Sequence, residues 1–387
     1  MVTWIKPMVG RSPDEQHRAS TPLELFFDLV LVVAVAFASS ELHQDLAGGA
    51  RPGVILSYCM VFFAIWWPWM NFTWFASAFD TDDVAYRLLV FVQMTGALIV
   101  AAGVPRLFED LDLGLVLVGY VVMRLAAVTQ WLRAARSDVA LRPSALRYAI
   151  GIGTLQLAWV ALYFAPEAIV LPGLLVLIVA ELAVPVWAER HATTTWHPAH
   201  IAERYGLFTI IVLGESILSA SIAVQAAAGA GQVDRLLGLI AGGLLTVFAM
   251  WWLYFELPGE DSLTFLRRAF VWGYGHYFIW AAAAAVGAGL AVALEESAGQ
   301  AAIGKTGAGL AVAVPVAVYL SGLWAINYLP RGISGSRALL GPLFAILVLL
   351  TPLTGNAVLL IGLVLSALVA VKVLGRDELG STEVGID

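Results

Sequence analysis

Residues 23–40 read LELFFDLVLVVAVAFASS, an apolar run broken only by Glu24 at its start, Asp28 inside it and two serines at its end. At 1.5 Å rise per residue, about 20 such residues cross the ~30 Å hydrocarbon core of a bilayer as one helix. Segments of this kind recur at 53–75, 86–104, 111–132, 146–164, 168–188, 201–224, 235–257, 268–294, 306–328, 337–352 and 355–374. The edges of 306–328 and 337–352 are the least sharp, because Gly and Pro are frequent there. Backbone polar groups in lipid must be satisfied within each segment, so the fold class is all-α, a polytopic helical membrane bundle of about twelve spans. Composition agrees. Hydrophobic residues make up 60% of the chain and charged residues 13%, against about 25% charged in an ordinary globular domain, and mean hydropathy is +0.86.

The net charge of −7 conceals a pattern in the basic residues. With the N-terminus placed in the cytoplasm, only Arg51, Arg106, Arg235 and Lys305 fall in outer loops, and Arg124 lies mid-span. The remaining Lys and Arg residues, Arg204 among them, all fall on the inner side, a positive-inside bias that puts both termini in the cytoplasm. Residues 1–22 form a cytoplasmic N-terminal segment and 375–387 a cytoplasmic tail. Cys59 is the single cysteine, so neither a disulfide framework nor a thiolate metal cluster is available. Ala36-Phe37-Ala38 imitates a signal-peptide cleavage site, but Asp28 in the apolar run argues against processing. No Gly-rich phosphate loop and no nucleic-acid-binding patch is present, and no cofactor is implied.

The spans read as two copies of six, 23–200 and 201–374. Phe62-Phe63-Ala64-Ile65-Trp66-Trp67-Pro68-Trp69 matches Val247-Phe248-Ala249-Met250-Trp251-Trp252-Leu253-Tyr254. An acidic turn follows each (Asp80-Thr81-Asp82-Asp83, Glu260-Asp261), and then an arginine opens the next helix (Arg87, Arg267). Six spans per copy make the repeats parallel, related by an axis along the membrane normal, as in one of the common transporter plans. The tryptophans at 66, 67, 69, 251 and 252 read as interface and packing anchors.

Five ionisable residues lie inside these segments: Asp28, Arg124, Glu181, Glu215 and His276. A charge at the bilayer centre costs at least ~2.5–3.5 kcal/mol, so such groups pair, face a bundle interior or line a pathway. Glu24 follows Thr21 and Pro22 with capping-box spacing, which favours a structural role. Asp28, roughly 9 Å inside the inner edge, is too deep to cap. Arg124 and Glu181 sit at similar depths, roughly 13 and 10 Å, and the three are expected to form one inner-leaflet cluster in which Arg124 takes a carboxylate partner. Glu215 lies roughly 20 Å into its helix, beyond any snorkelling, and reads as a proton-carrier candidate lined by water. His276 reads as a hydrogen-bonded core histidine, with a proton relay as the alternative. His197, His200 and Glu203 do not share one tight helical face, so interfacial capping and pairing, not metal, is expected of them and of Arg204.

Two motifs extend the reading. Glu24-Leu25-Phe26-Phe27-Asp28-Leu29-Val30, together with the run from His200-Ile201-Ala202-Glu203-Arg204-Tyr205-Gly206 to Leu213-Gly214-Glu215-Ser216, closely resembles the bacterial low temperature requirement A (LtrA) family. The resemblance covers nearly the whole chain. It implies a multi-pass protein of the bacterial inner membrane linked to growth in the cold, and the family's hallmark carboxylates fall on Asp28, Glu203 and Glu215. The duplicated plan and Phe27-Asp28 also resemble the endolysosomal-type potassium channels, whose first helix carries a Phe-Ser-Asp motif. The present chain departs from that motif, with Phe26-Phe27-Asp28 in place of Phe-Ser-Asp and Leu207 where a second Asp would align.

The sequence reading favours a secondary transporter coupled to protons or cations, acting on a small-molecule substrate. A duplicated six-span ion channel, a lipid-acting membrane enzyme and a non-transporting structural protein stand as alternatives. The enzyme is disfavoured, because no nucleophile or metal set is evident. The lipid bilayer is the expected surrounding partner; nucleic acid is not.

Overall fold

The structure, a computed structural model, describes residues 3–12, 15, 19–79, 81–229, 233–263, 265–331 and 336–383. Arg18, Asp80 and the last residues, 384–387, lie outside them. Among the described residues the chain forms twelve α-helices and no strand. They are α1 (Pro22–Ala47), α2 (Val54–Phe79), α3 (Val84–Asp110), α4 (Gly114–Ser137), α5 (Arg142–Tyr163), α6 (Glu167–Ala188), α7 (Pro198–Gly229), α8 (Val233–Phe255), α9 (Leu266–Ser297), α10 (Lys305–Tyr328), α11 (Ser336–Leu350) and α12 (Ala357–Glu383). Eleven are long and apolar enough to cross a membrane. The exception is α11, of 15 residues, extended by a 3-10 turn at Thr351–Thr354. Pro342 interrupts its ladder and Pro352 tightens its end, since proline removes a backbone donor and crowds the preceding turn.

The helices divide into two compact units. Unit 1 comprises residues 1–38 and 57–205, and unit 2 comprises 39–56 and 206–387, so α1, α2 and α7 each contribute to both. In unit 1, α3 lies against α4, α4 against α5 and α5 against α6. Small residues set the closest of these approaches. A Cβ on Gly96 of α3 would stand 2.7 Å from the Gly119 carbonyl oxygen of α4, the close backbone packing that Gly allows between membrane helices.

Unit 2 is built around α9. Every residue from Ile279 to Leu294 is buried, and eight of them are alanines. A helix apolar on all faces belongs inside a bundle, and its narrow side chains let neighbours close in: a Cβ on Gly287 would stand 2.7 Å from the Ser216 Cα of α7. Helices α10, α11 and α12 pack in sequence order, and α12 also lies along α8.

Candidate functional site

The first polar centre of unit 1 joins α1 to the start of α7. Thr21 and Glu24 close the expected capping box: Thr21 N donates to Glu24 Oε2 at 2.7 Å, and Glu24 N donates to Thr21 Oγ1 at 3.3 Å. The other oxygen of Glu24 faces the opposite way. Its Oε1 stands 3.0 Å from Arg204 Nη1 and 3.3 Å from His200 Nε2. One turn on, Asp28 accepts from Arg204 Nη2 at 2.5 Å and from the Trp69 indole N–H of α2 at 2.7 Å. Glu24/Asp28 and His200/Arg204 are both i, i+4 pairs, so each helix presents one face to the other. Asp28, His200 and Arg204 are completely buried and Glu24 is almost so. Glu203 points elsewhere, accepting from Ser20 N at 3.1 Å.

A second centre surrounds Glu181 of α6. Its Oε2 accepts from Trp67 Nε1 and from Arg124 Nη2, both at 2.8 Å. Its Oε1 accepts from Tyr120 Oη at 3.2 Å, Trp159 Nε1 at 3.2 Å and Gln156 Nε2 at 3.3 Å. Five donors drawn from α2, α4 and α5 thus converge on one carboxylate that is 0% exposed. Arg124 lies over the Tyr120 ring at 5.7 Å, and its Nε and Nη1 are buried without a hydrogen-bond partner. The single cluster expected of Asp28, Arg124 and Glu181 is therefore two centres. Arg124 takes Glu181, while Asp28 takes Arg204. Arg204, placed by sequence at the inner interface, is fully buried.

The remaining candidates fall in unit 2. Glu215 of α7 is 6% exposed and accepts from Ser219 Oγ at 2.7 Å. Its Oε2 has no hydrogen-bond partner, and among the described residues no basic side chain pairs with it. His276 of α9 is held at both ring nitrogens. Nδ1 contacts the Trp272 carbonyl at 2.7 Å and Nε2 the Tyr254 hydroxyl at 2.9 Å. A carbonyl only accepts, so Nδ1 carries the proton, and in the neutral ring Nε2 accepts from Tyr254. That is a satisfied core histidine.

Comparison with known proteins fits both motifs. The profile of the bacterial low temperature requirement A protein (LtrA) family matches residues 19–374. The chain belongs to this family. An uncharacterized protein of Rhizobium meliloti (strain 1021) is 29% identical over 251 residues, 62% of this chain and 59% of the relative; the match thus spans less than two thirds of that relative's length. In this LtrA-family chain the two stretches that carry the resemblance meet physically, the Glu24–Asp28 face of the first against the His200–Arg204 face of the second.

Sequence reasoning missed the polar work of the tryptophans. Trp66, Trp67 and Trp69 are buried, not interfacial, while Trp251 and Trp252 are about half exposed. The available signal was the Asp28 and Glu181 carboxylates themselves, since a buried acceptor needs donors and Trp66, Trp67 and Trp69 bring indole N–H groups into an apolar helix. Sequence also missed a cavity of about 420 Å³ in unit 1, bounded by α2, the α3–α4 connection, α5 and α6, with Tyr120 and Trp159 among its walls. Unit 2 has one of about 300 Å³, between α8, the α9–α10 connection and the start of α12, lined by Glu296, Lys305 and Asn356. Neither includes Glu215 in its lining.

Proposed function

We propose that this LtrA-family membrane protein is a secondary transporter coupled to protons or cations, acting in the bacterial inner membrane with both termini cytoplasmic. The observation that carries the reading is Glu215. It is a buried carboxyl in a membrane-length helix, with one oxygen unpartnered and no cation paired to it. A carboxylate left so is costly, and it is relieved by taking a proton or a cation. Glu181 and Asp28 differ, since each already has a guanidinium and indole donors. They fit a scaffold that holds the helices, leaving Glu215 as the exchangeable site. Support also comes from the duplicated sequence plan, in which 23–200 and 201–374 are parallel six-span copies.

The test is reconstitution into liposomes carrying pH- and ion-sensitive dyes, screened against candidate solutes. The wild-type protein should move protons or a cation together with a solute, and Glu215→Gln, which keeps the shape but removes titration, should abolish the coupled flux. Full activity in the mutant with an unchanged pH profile would remove Glu215 from the mechanism.

A further inference from the structure

The cavity of unit 1 has a one-sided chemistry. Its volume, about 420 Å³, falls in the ~300–1,000 Å³ range of small-molecule sites. Apolar residues form most of the wall, and Phe63, Tyr120, Trp159 and Tyr163 add four aromatic rings. Asp112, beside the start of α4, is the single charged residue lining it. Several polar groups at the wall have their protons committed elsewhere or lack one. The Tyr120 hydroxyl spends its proton on Glu181, so it presents lone pairs to anything else. The Trp159 N–H is spent on the same carboxylate. Pro68 has no N–H to return to the Ala64 carbonyl one turn back, and Ala64 is in the wall. Arg124, the cation beneath Tyr120, is already matched by Glu181.

We infer that this cavity is a binding site for an amphipathic organic cation, its apolar body among the leucine, valine and aromatic side chains and its charge met by Asp112 and the ring faces. Aromatic faces attract a desolvated cation, and Asp112, the single charged residue in the lining, disfavours an anion. The inference deepens the transporter reading, on which it rests for the site's purpose, but binding itself needs no gradient.

The experiment is equilibrium dialysis of the purified full-length protein in detergent with tetraphenylphosphonium, using tetraphenylborate as a probe of the same shape and opposite charge. Saturable tetraphenylphosphonium binding is expected, with tetraphenylborate at least about tenfold weaker. Asp112→Asn should weaken the cation roughly fivefold, the effect of one charge about 4 Å away in a water-like dielectric. Leu174→Trp should remove the site by filling it, and Val116→Phe fills it from another helix should the first variant fail to fold; monodisperse elution and an unchanged Tm identify the usable variant. Equal binding of the two probes, wild-type affinity in a folded cavity-filled variant, or no saturable binding would each overturn the inference. So would displacement by phospholipid regardless of headgroup charge, which would make a lipid tail the occupant. A liposome without flux but with these binding results would count against transport alone, and flux without binding against this site alone.

Discussion

Glu181 and Glu215 are both glutamates inside apolar helices, and their surroundings are opposite. Five donors, one of them a guanidinium, hold Glu181 as an acceptor at every contact. Removing one member of a buried ion pair leaves the other uncompensated, typically a loss of ~3–5 kcal/mol. Arg124→Leu should therefore lower unfolding stability in detergent by about that amount. Adding Glu181→Leu should recover part of the loss, though the stranded indole and phenol donors keep the recovery incomplete. Equal stability of the single mutant and wild type would mean the pair holds nothing. For Glu215→Gln the expectation is a change within about 1 kcal/mol, because the serine hydroxyls that bond to it, Ser219 and Ser39, can bond a glutamine oxygen as well; a collapse of stability would return Glu215 to the scaffold.

At the scale of elements, the ends of helices carry the pH dependence. Asp83 caps α3, accepting from Tyr86 N and Lys6 N, each at 2.7 Å, and from Arg133 Nη2 at 2.6 Å. Burial works against its charge, but these donors and the guanidinium outweigh it and hold the carboxyl below its ordinary value. Its contribution is thus present above the unfolded value of about 3.9 and lost as pH falls through the folded one. Glu189, closing α6, runs the other way. Burial raises it despite hydrogen bonds from Thr194 and Tyr148. Its contribution is full below about 4.3 and lost as pH rises through its folded value. Asp83→Asn should flatten the acid limb of a stability–pH curve, and Glu189→Gln the limb just above it; parallel curves for mutant and wild type would refute the assignment.

The elements also show what a sequence of this kind reveals. Hydropathy located the long helices, because lipid imposes a length and a composition on each. It placed α11 too, as the short segment 337–352, against Ser336–Leu350 and the 3-10 turn that follows. It could not say which face each tryptophan shows, since an indole at an interface and an indole bonded to a buried carboxylate look the same in a list of residues. Arg204 was misplaced for a related reason: six residues from the helix start, a long basic side chain is expected to snorkel, and only the meeting of α7 with Glu24 and Asp28 turns it inward. Glu215 was legible as too deep to snorkel, but its lack of a basic partner was not, and the water expected around it belongs to neither cavity described above, because partners and cavities are made by several helices at once.

For the whole molecule, the number of crossings decides which side the chain ends on, and α11 is the helix in doubt. Were α11 to enter and return on one side, the C-terminus would emerge opposite the N-terminus. Contacts inside unit 2 argue otherwise. Gly355 and Asn356, which follow α11, line a cavity together with Ser297 and Lys305, the end of α9 and the start of α10. Helix α11 itself begins just after the opposite end of α10 at Tyr328. The far part of α12 then returns, for Lys372 Nζ pairs with Glu256 at 2.6 Å and lies over the Tyr328 ring at 5.9 Å. Despite its length, α11 with its 3-10 turn therefore runs from one end of unit 2 to the other. On the proposed topology that makes twelve crossings, an even number, for which the excess of Lys and Arg in the inner loops predicts cytoplasmic ends. In a Cys59→Ala background, a cysteine introduced just after Lys372 should resist a membrane-impermeant maleimide in intact cells and react once the membrane is opened. Labelling from outside would show that α11 does not cross, and would leave the second copy, 201–374, without the six spans that the proposed parallel repeat requires.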